Sequence, residues 1–528
     1  MDNYTQSVAP VIKPNRAHFD MSHRYTTTID MDYIYPVGHW EVIPGDTFSI
    51  QADMFGRFLT LLHPLMDNVY VDIHFFYAPH RILWDNARKF YGEQIDPGDS
   101  IAYTVPTAPA TATTGYAELS LHDYFELPTK IPDYDHNNLL MRMYNYTWNE
   151  FYRDQNLQDS VTVDTGDGPD NSTNYVLLKR NKSHDYFTSG IPNLLKDPAT
   201  AQTLPLGTTA DIKWRQFAGT PDRTDEWVVN NVTGGSVTQS AYGSTADTRT
   251  GYMPATSDAN MYADLTNATA ATILQLRQAV QIQAILELDA RAGTRYPEQL
   301  YAVYGVRYNG ESYRPEYLGG GTARVDISQV PQTSNDGTNG EVGDLQAYGT
   351  FGMSNAGFSK SFDEPGYILA LLSTRADITY QQGLDRSFSR TDRYSMFHPL
   401  LQNIGDQATL KQEIVCQDPA TDTGSTGTPD NQRTFNYQER YAEYKYRKSS
   451  ITGLFRSNCT SSLESWHLSE ELAAAEPNYN STFIQQNTPT DRAVAVSTEP
   501  HLLVDIQYNT QAARPMHMYS IPGFGSRF

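Results

Sequence analysis

Two stretches near the start of the chain decide the fold: DTFSIQADM at 46–54 and VYVDIHFFYAP at 69–79. In the first, apolar residues alternate with polar ones, at Phe48, Ile50, Ala52 and Met54. In the second, apolar residues share one parity, at Val69, Val71, Ile73, Phe75 and Tyr77. This period of two predicts strands with one buried face each, as in an antiparallel sandwich or barrel.

Other elements extend this pattern along the chain. Strands are predicted at Tyr33–Ile43 and Tyr367–Leu372, and period-two order returns at Leu502, Val504, Ile506 and Tyr508. Because the first and last strands are far apart in sequence, their pairing must be non-local, of the Greek-key or jelly-roll type. Helices are predicted at Trp84–Tyr91, Asn137–Asp154 and Asp264–Arg291.

The composition favours a protein that assembles with others. The chain of 528 residues contains 36 tyrosines and is only 19% charged, and aromatic residues are enriched at protein interfaces. The net charge of −22 argues against a dedicated nucleic-acid binder, although it leaves room for a few local contacts. A monomeric, tyrosine-rich β protein is the alternative reading of the same composition.

The two cysteines, Cys416 and Cys459, provide no disulfide framework, which fits a reducing compartment, and at most one bridge could join them. The sequence shows neither a signal peptide nor an apolar run of the roughly 20 residues that a membrane helix needs. We therefore expect a soluble protein synthesised in the cytoplasm.

Long polar stretches interrupt the predicted sheet. Residues 1–32 are expected to form an N-terminal arm and 509–528 a C-terminal arm, both attached to one domain that spans 1–528. Residues 156–262 are rich in Asp, Gly, Thr, Asn and Ser, and 233–260 consist almost entirely of turn-forming residues. An irregular connection of this length is usually functional or mobile, so we interpret 200–262 as an exposed insertion.

No motif predicts catalysis, a cofactor or a metal site. Gly319-Gly-Gly321 lacks the Lys-Ser/Thr ending of a phosphate-binding loop. His18 and His23 have no third candidate ligand nearby in the sequence. A secreted β-rich carbohydrate-binding protein or glycosidase remains the alternative class, because paired carboxylates meet only in three dimensions.

One stretch combines aromatic and basic residues. In YAEYKYRK at 441–448, a strand would place Lys445 and Arg447 on one face and Tyr444 and Tyr446 on the other. Such a strand could contact phosphates or an acidic neighbouring subunit. A surface strand with solvated cations over packed tyrosines is an equally good interpretation.

Together, these landmarks resemble the major capsid protein of microviruses, small phages with circular single-stranded DNA, and most of all the gokushovirus-like branch. The matching segments are collinear over nearly the whole chain: HFDMSH at 18–23, VIPGDTF at 42–48, PLMDNVYVD at 64–72, FFYAPHRILWDN at 75–86, RDQNL at 153–157, KRNKSHDYFT at 179–188, DARAGTRY at 289–296, RPEYLGGG at 314–321, YQERYAEY at 437–444 and ITGLFR at 451–456. Residues 198–260 and 418–432 carry no specific match.

The resemblance implies a mainly β fold, an eight-stranded antiparallel jelly-roll barrel with long loop insertions and a few helices. It also implies a T=1 icosahedral shell of identical subunits around single-stranded DNA, with an insertion projecting at the three-fold axes. The segment 200–262 is the natural place for that insertion. The protein would then be a virion component, assembled in the host cytoplasm and not inserted into a membrane.

From this interpretation we predict two sets of site residues. Because an acidic shell neutralises little DNA charge, we expect a separate small basic protein to do most of it, alongside other virion proteins. Minor interior contacts with DNA are assigned to Lys13, Arg16, Lys445, Arg447, Arg514 and Arg527. A host surface receptor is expected to meet the loop that contains Thr233, Gly234, Gly235, Tyr242 and Tyr252.

Overall fold

A computed structural model describes residues 15–196, 211–214, 261–264, 273–292, 313–334, 342–420, 429–472 and 477–519, together with Arg295, Glu298, Ala302 and Asp422. The chain divides into two compact units. The first comprises residues 1–194 and 293–528, and the second comprises residues 195–292.

The first unit is built on two antiparallel sheets. Its strands are β1 (Ala17–Asp20), β2 (His23–Ile29), β3 (Ile34–Val42), β4 (Thr47–Leu61), β5 (Val69–Pro79), β6 (Thr107–Pro109), β7 (Asp135–Asn137), β10 (Glu316–Arg324), β11 (Asp326–Pro331), β12 (Leu345–Ser361), β13 (Gly366–Ala376), β14 (Gln407–Leu410), β15 (Thr434–Gln438) and β16 (Leu502–Arg514). The second unit contributes β8 (Asp211–Trp214) and β9 (Met261–Asp264), which pair with each other.

One sheet has the order β1-β16-β4-β12-β11, with β2 also paired to β16, and the other has the order β10-β5-β13-β3; β6–β7 and β14–β15 are separate two-stranded pairs. A single hydrophobic core takes residues from both sheets, among them Phe48, Ile73, Ile368 and Ile506. The predicted mainly β, antiparallel fold is confirmed, and two facing sheets are the layout of a jelly roll. The predicted non-local pairing is also present, since β4 pairs with β16 over Thr47–Phe58.

Parts of both expected arms belong to the first sheet. Strands β1 and β2 lie within 1–32 and pair with successive parts of β16. Strand β16 itself continues to Arg514, so its last residues lie within 509–528.

The two deciding stretches differ in how they are buried. Strand β4 alternates between buried and more exposed residues along its length, as predicted, and it continues seven residues beyond Met54 to Leu61. Strand β5 is different, because Phe76 and Ala78 on its second face are also buried. The prediction of one buried face was therefore wrong for β5.

Helices cover that second face of β5. They are α1 (His80–Leu83), α2 (Ala87–Phe90), α3 (Leu121–Tyr124) and α4 (Leu139–Thr147), and α4 continues into a π-helical turn at Trp148–Tyr152. A second hydrophobic cluster joins Phe76 and Leu369 of the sheet to Trp84, Met143 and Trp148. This layer explains why β5 and β13 are apolar on both faces.

The remaining helices are short, apart from α5 (Ile273–Ala292) in the second unit. Within the described residues the predicted helix Asp264–Arg291 is present from Ile273 onward, its first residue Asp264 belongs to β9 instead, and the predicted part 265–272 lies outside the described residues. The others are α6 (Arg386–Ser389), α7 (Ala442–Lys445) and α8 (Ser481–Ile484), with 3₁₀ turns at Ser172–Asn174, Pro399–Leu401, Lys411–Glu413, Asp430–Gln432, Gly453–Phe455, Glu464–Trp466 and Thr490–Arg492. No helix in the described ranges is long and apolar enough to span a membrane.

Candidate nucleic-acid contacts and host-facing loop

Arg16 and Arg514 lie together at one edge of the first sheet. Arg514 is paired with Ala17 across the β1–β16 ladder, and Ala513 is paired with Thr47 of β4. Arg16 immediately precedes β1, so the sheet register brings its side chain to the same place. These two predicted DNA contacts are therefore neighbours in the fold.

The charge of Arg514 is compensated within the subunit by an ion pair. Its guanidinium contacts the Asp46 carboxylate at 3.1 and 3.0 Å, and it donates a further hydrogen bond to the Glu41 carbonyl. Asp46 is fully buried and also accepts a hydrogen bond from the Ile43 amide at 2.8 Å, which closes the Pro44–Gly45 turn. Removing one partner of such a pair leaves an uncompensated buried charge, so Arg514 primarily stabilises this turn.

Arg16 has different partners. Its exposed guanidinium donates hydrogen bonds to the Thr47 hydroxyl at 2.8 Å and to the Ala513 carbonyl at 3.2 Å. Both acceptors are neutral, so these contacts fix the position of the guanidinium without neutralising its charge. A fixed, exposed cation of this kind is suited to a phosphate oxygen.

Lys445 and Arg447 belong to another part of the unit, and the predicted strand at 441–448 was wrong. Tyr441 adopts a left-handed conformation with φ of 65° and caps helix α7, which places Tyr444 and Tyr446 both on the exposed surface. The physical reason is the burial of Tyr441, which is 3% exposed and whose hydroxyl donates to the Met396 carbonyl at 3.1 Å. The chain must turn to make that contact, which breaks the alternation.

These two cations also differ in how far their charge is compensated. Lys445 forms a surface ion pair with Glu439. Arg447 is exposed and lies close enough to Asp385 to act on its pKa. Hydrogen bonds from Ser387 lower the pKa of Asp385 most, and Lys448 and Arg447 lower it further. Arg447 is thus the more available of the two for an external anion.

The other predicted site residues lie outside the described part of the chain. This applies to Lys13 and Arg527 in the termini, and to the whole predicted host-facing set, Thr233, Gly234, Gly235, Tyr242 and Tyr252. All five members of that set fall within the sequence range of the second unit, 195–292.

Features that suggested ligand chemistry in the sequence have structural roles. Gly319–Gly321 lie inside β10 and pair with β5, so they form no phosphate-binding loop. Across the described ranges, no three His, Cys, Asp or Glu side chains converge as a metal-binding group. Both cysteines are free thiols.

Sequence reasoning did not identify two buried ionic networks. Asp72, on the polar parity of β5, contacts Arg180 at 2.5 Å and Arg375 at 3.0 Å, and it accepts a hydrogen bond from Thr322 at 2.6 Å. On the helical side, Arg142 of α4 contacts Asp170, and both side chains are almost completely buried. In the sequence, the buried role of Asp72 is indicated only by the presence of a carboxylate among apolar strand residues. The partners of Asp72 could not be predicted, because they come from segments distant in the sequence.

The comparisons with known proteins agree over nearly the full length. The family described as Capsid protein (F protein) matches residues 7–524. The protein named Capsid protein VP1 of Bdellovibrio phage phiMH2K is 41% identical, over 98% of this chain and 97% of its own length. Proteins of the same name from Chlamydia phage 1 and Spiroplasma virus 4 are 38% and 30% identical, over 98% and 96% of this chain and 97% and 95% of their own lengths.

Proposed function

This chain belongs to the Capsid protein (F protein) family, and we propose that its copies close into a T=1 icosahedral shell around a circular single-stranded DNA genome. It is a structural component of a phage virion rather than an enzyme. The observation that carries the proposal is the match to capsid proteins of three phages over nearly the entire chain. That match also argues against the carbohydrate-binding or glycosidase alternative.

Closure of such a shell follows from symmetry, because each subunit repeats the same contacts with its neighbours. The test is to purify the chain expressed alone and to measure the mass of any particles by native mass spectrometry. Dividing that mass by the subunit mass of 59.4 kDa gives the number of copies. A single closed species with the T=1 copy number is expected, and dispersed monomers or open-ended polymers would contradict the proposal.

Arg16 is the best supported of the proposed DNA contacts, since its charge is exposed and its hydrogen-bond partners are neutral. We expect Arg16→Gln to reduce the DNA retained per particle at raised salt, because phosphate contacts are salt-dependent. Arg24→Gln is the matched control, because Arg24 is also exposed on the N-terminal strands but is paired with Asp505 at 2.5 Å. Equal DNA retention in both variants would show that Arg16 is not one of the residues that contact DNA.

A separate small basic protein is proposed to neutralise most of the DNA charge, since this chain carries a net charge of −22. Gel analysis of purified DNA-filled particles should reveal such a polypeptide together with other virion proteins. Filled particles composed of this chain and DNA alone would show that the neutralisation has another source.

We also propose that the second unit carries the host-contacting loop, as a protrusion at the three-fold axes. Its sequence range, 195–292, includes the turn-rich segment 233–260 and begins and ends between residues of the first unit. Deletion of 233–260 should leave shell formation intact and reduce adsorption to host cells. Loss of shell formation in that variant would instead assign the segment to assembly.

A further inference from the structure

A run of large apolar side chains is exposed on the first unit, from Phe388 in α6 to Ile404 just before β14. Phe388 is 80% exposed, Tyr394 75% and Leu400 83%, and the same segment exposes Met396, Phe397 and Ile404. We refer to these six residues as the 388–404 surface. Monomeric soluble proteins rarely expose this much apolar area in one segment, so such a surface indicates a binding partner.

The surface is held in place by the rest of the unit. The Phe397 ring packs against Tyr441 with centroids 5.0 Å apart, and the Tyr441 hydroxyl accepts a hydrogen bond from the His398 amide at 3.2 Å. Arg390 contacts the Glu443 carboxylate at 2.6 Å and lies over the Tyr444 ring at 4.3 Å. A surface anchored in this way loses little conformational entropy when a partner binds.

Its size corresponds to one side of a protein interface. With roughly 150–250 Å² for each fully exposed aromatic side chain, the rings of Phe388, Tyr394 and Phe397, at 80%, 75% and 49% exposure, present roughly 300–500 Å², and Met396, Leu400 and Ile404 add aliphatic surface to this. A standard protein–protein interface buries about 800 Å² on each partner. Aromatic residues and Met are also the types enriched at such interfaces.

The chemistry favours a protein partner over nucleic acid. Leu400, Ile404 and Met396 have no ring on which a base could stack. Of the three arginines within 386–404, Arg386 is paired with Glu413 at 3.1 Å and Arg390 with Glu443, whereas Arg393 is exposed. A single-stranded DNA site would need several cations along the path of the phosphates, and one exposed arginine beside six apolar side chains does not provide them.

We propose that the 388–404 surface packs against another copy of this chain in the assembled shell. The inference rests on the proposed shell, in which identical copies are the most abundant partners and each contact is repeated by symmetry. The surface would therefore be one of the apolar centres that hold neighbouring subunits together.

The direct test is hydroxyl-radical footprinting of three samples: free subunits, empty shells of this chain alone, and DNA-filled particles. Packing would reduce the exposure of Phe388, Tyr394 and Leu400 from 75–83% to core levels, so their modification should slow about tenfold in both kinds of shell. The fully buried Phe187 provides an internal control that stays unreactive throughout. Protection only in filled particles would assign the surface to nucleic acid, and reactivity retained in every sample would also overturn the proposal.

A variant pair gives an independent result. Leu400→Asp should yield folded subunits with an unchanged unfolding temperature, because the side chain is exposed, but it should form at least tenfold fewer shells. Leu400→Met, the matched control, should assemble normally. Wild-type yields from Leu400→Asp would refute the contact, whereas failure of the unmodified chain to form shells would refute the proposed function itself.

Discussion

The buried pair Arg142–Asp170 provides a quantitative test of how the helical layer is held together. The Arg142 side chain is 0% exposed and that of Asp170 is 1% exposed. The guanidinium donates to both carboxylate oxygens, at 2.7 and 2.6 Å, and to the Leu83 carbonyl at 3.1 Å. Asn138 and Tyr175 donate to the same carboxylate. Helices α1 and α4 are thereby joined through one ionic centre.

We expect Arg142→Met to reduce the free energy of unfolding by about 3–5 kcal/mol, because it leaves a buried carboxylate without its counter-charge. Methionine has a similar length and is apolar, so lost packing contributes little. The matched control is Arg81→Met, since the Arg81–Glu364 pair is partly exposed and such pairs contribute about 0–1 kcal/mol.

The assay is urea unfolding of unassembled subunits, followed by tryptophan fluorescence, for both variants and the parent chain. Burial raises the pKa of Asp170, but hydrogen bonds from Arg142 and Asn138 outweigh it and lower the pKa overall. Without Arg142 the carboxyl should protonate more readily, so the deficit of Arg142→Met should shrink as the pH falls from 7 towards 4. Adding Asp170→Asn should recover part of the loss. A deficit below about 1 kcal/mol at pH 7, comparable with the control, would refute the reasoning.

Two further predictions concern the sheets and pH. The substitution Gly357→Ala would place a Cβ atom 1.9 Å from a carbonyl oxygen of β4 and force β12 away from β4, so it should reduce the free energy of unfolding by about 1–3 kcal/mol. The matched control is Gly352→Ala on the same strand, whose Cβ would meet no atom closer than 4.0 Å. Its free energy of unfolding in urea should be nearly that of the parent chain. Burial opposes the charged form of His501, but Asp30 and Asp491 outweigh it and raise its pKa above 6.5. The stabilisation by protonated His501 is therefore complete below about pH 6.5 and is lost as the pH rises through the raised pKa of His501. The free energy of unfolding should decline between pH 6 and 8 for this reason, and the decline should be smaller in the His501→Gln variant. An unchanged slope in that variant would show that other groups control it.

How much of this structure the sequence predicts depends on how far apart in the sequence the contacting residues lie. Strand β4 can be predicted from the sequence because one of its faces packs on the core and the other does not, so the burial of its residues follows the alternation of apolar and polar residues. Strand β5 carries the same signal on one parity, but the helical layer over its second face comes from residues 80–148 and cannot be inferred from the strand itself.

Contacts between distant segments also explain the errors around the candidate sites. The pattern at 441–448 resembles a strand, yet the contact of Tyr441 with the segment that contains Met396 imposes a turn and helix α7. The sequence likewise identified Arg514 as a cation, but its buried partner Asp46 lies more than 460 residues away. The 388–404 surface has no periodicity, so only its exposure in the folded structure distinguishes it from a segment of the core.

The most direct test of the account is a cryo-electron microscopy reconstruction of particles formed by this chain alone. We predict closed icosahedral shells whose wall is the two-sheet unit, with a neighbouring subunit packed over Tyr394 and Leu400. Dispersed monomers would contradict the capsid assignment, and closed shells with these side chains facing solvent would contradict the proposed subunit contact.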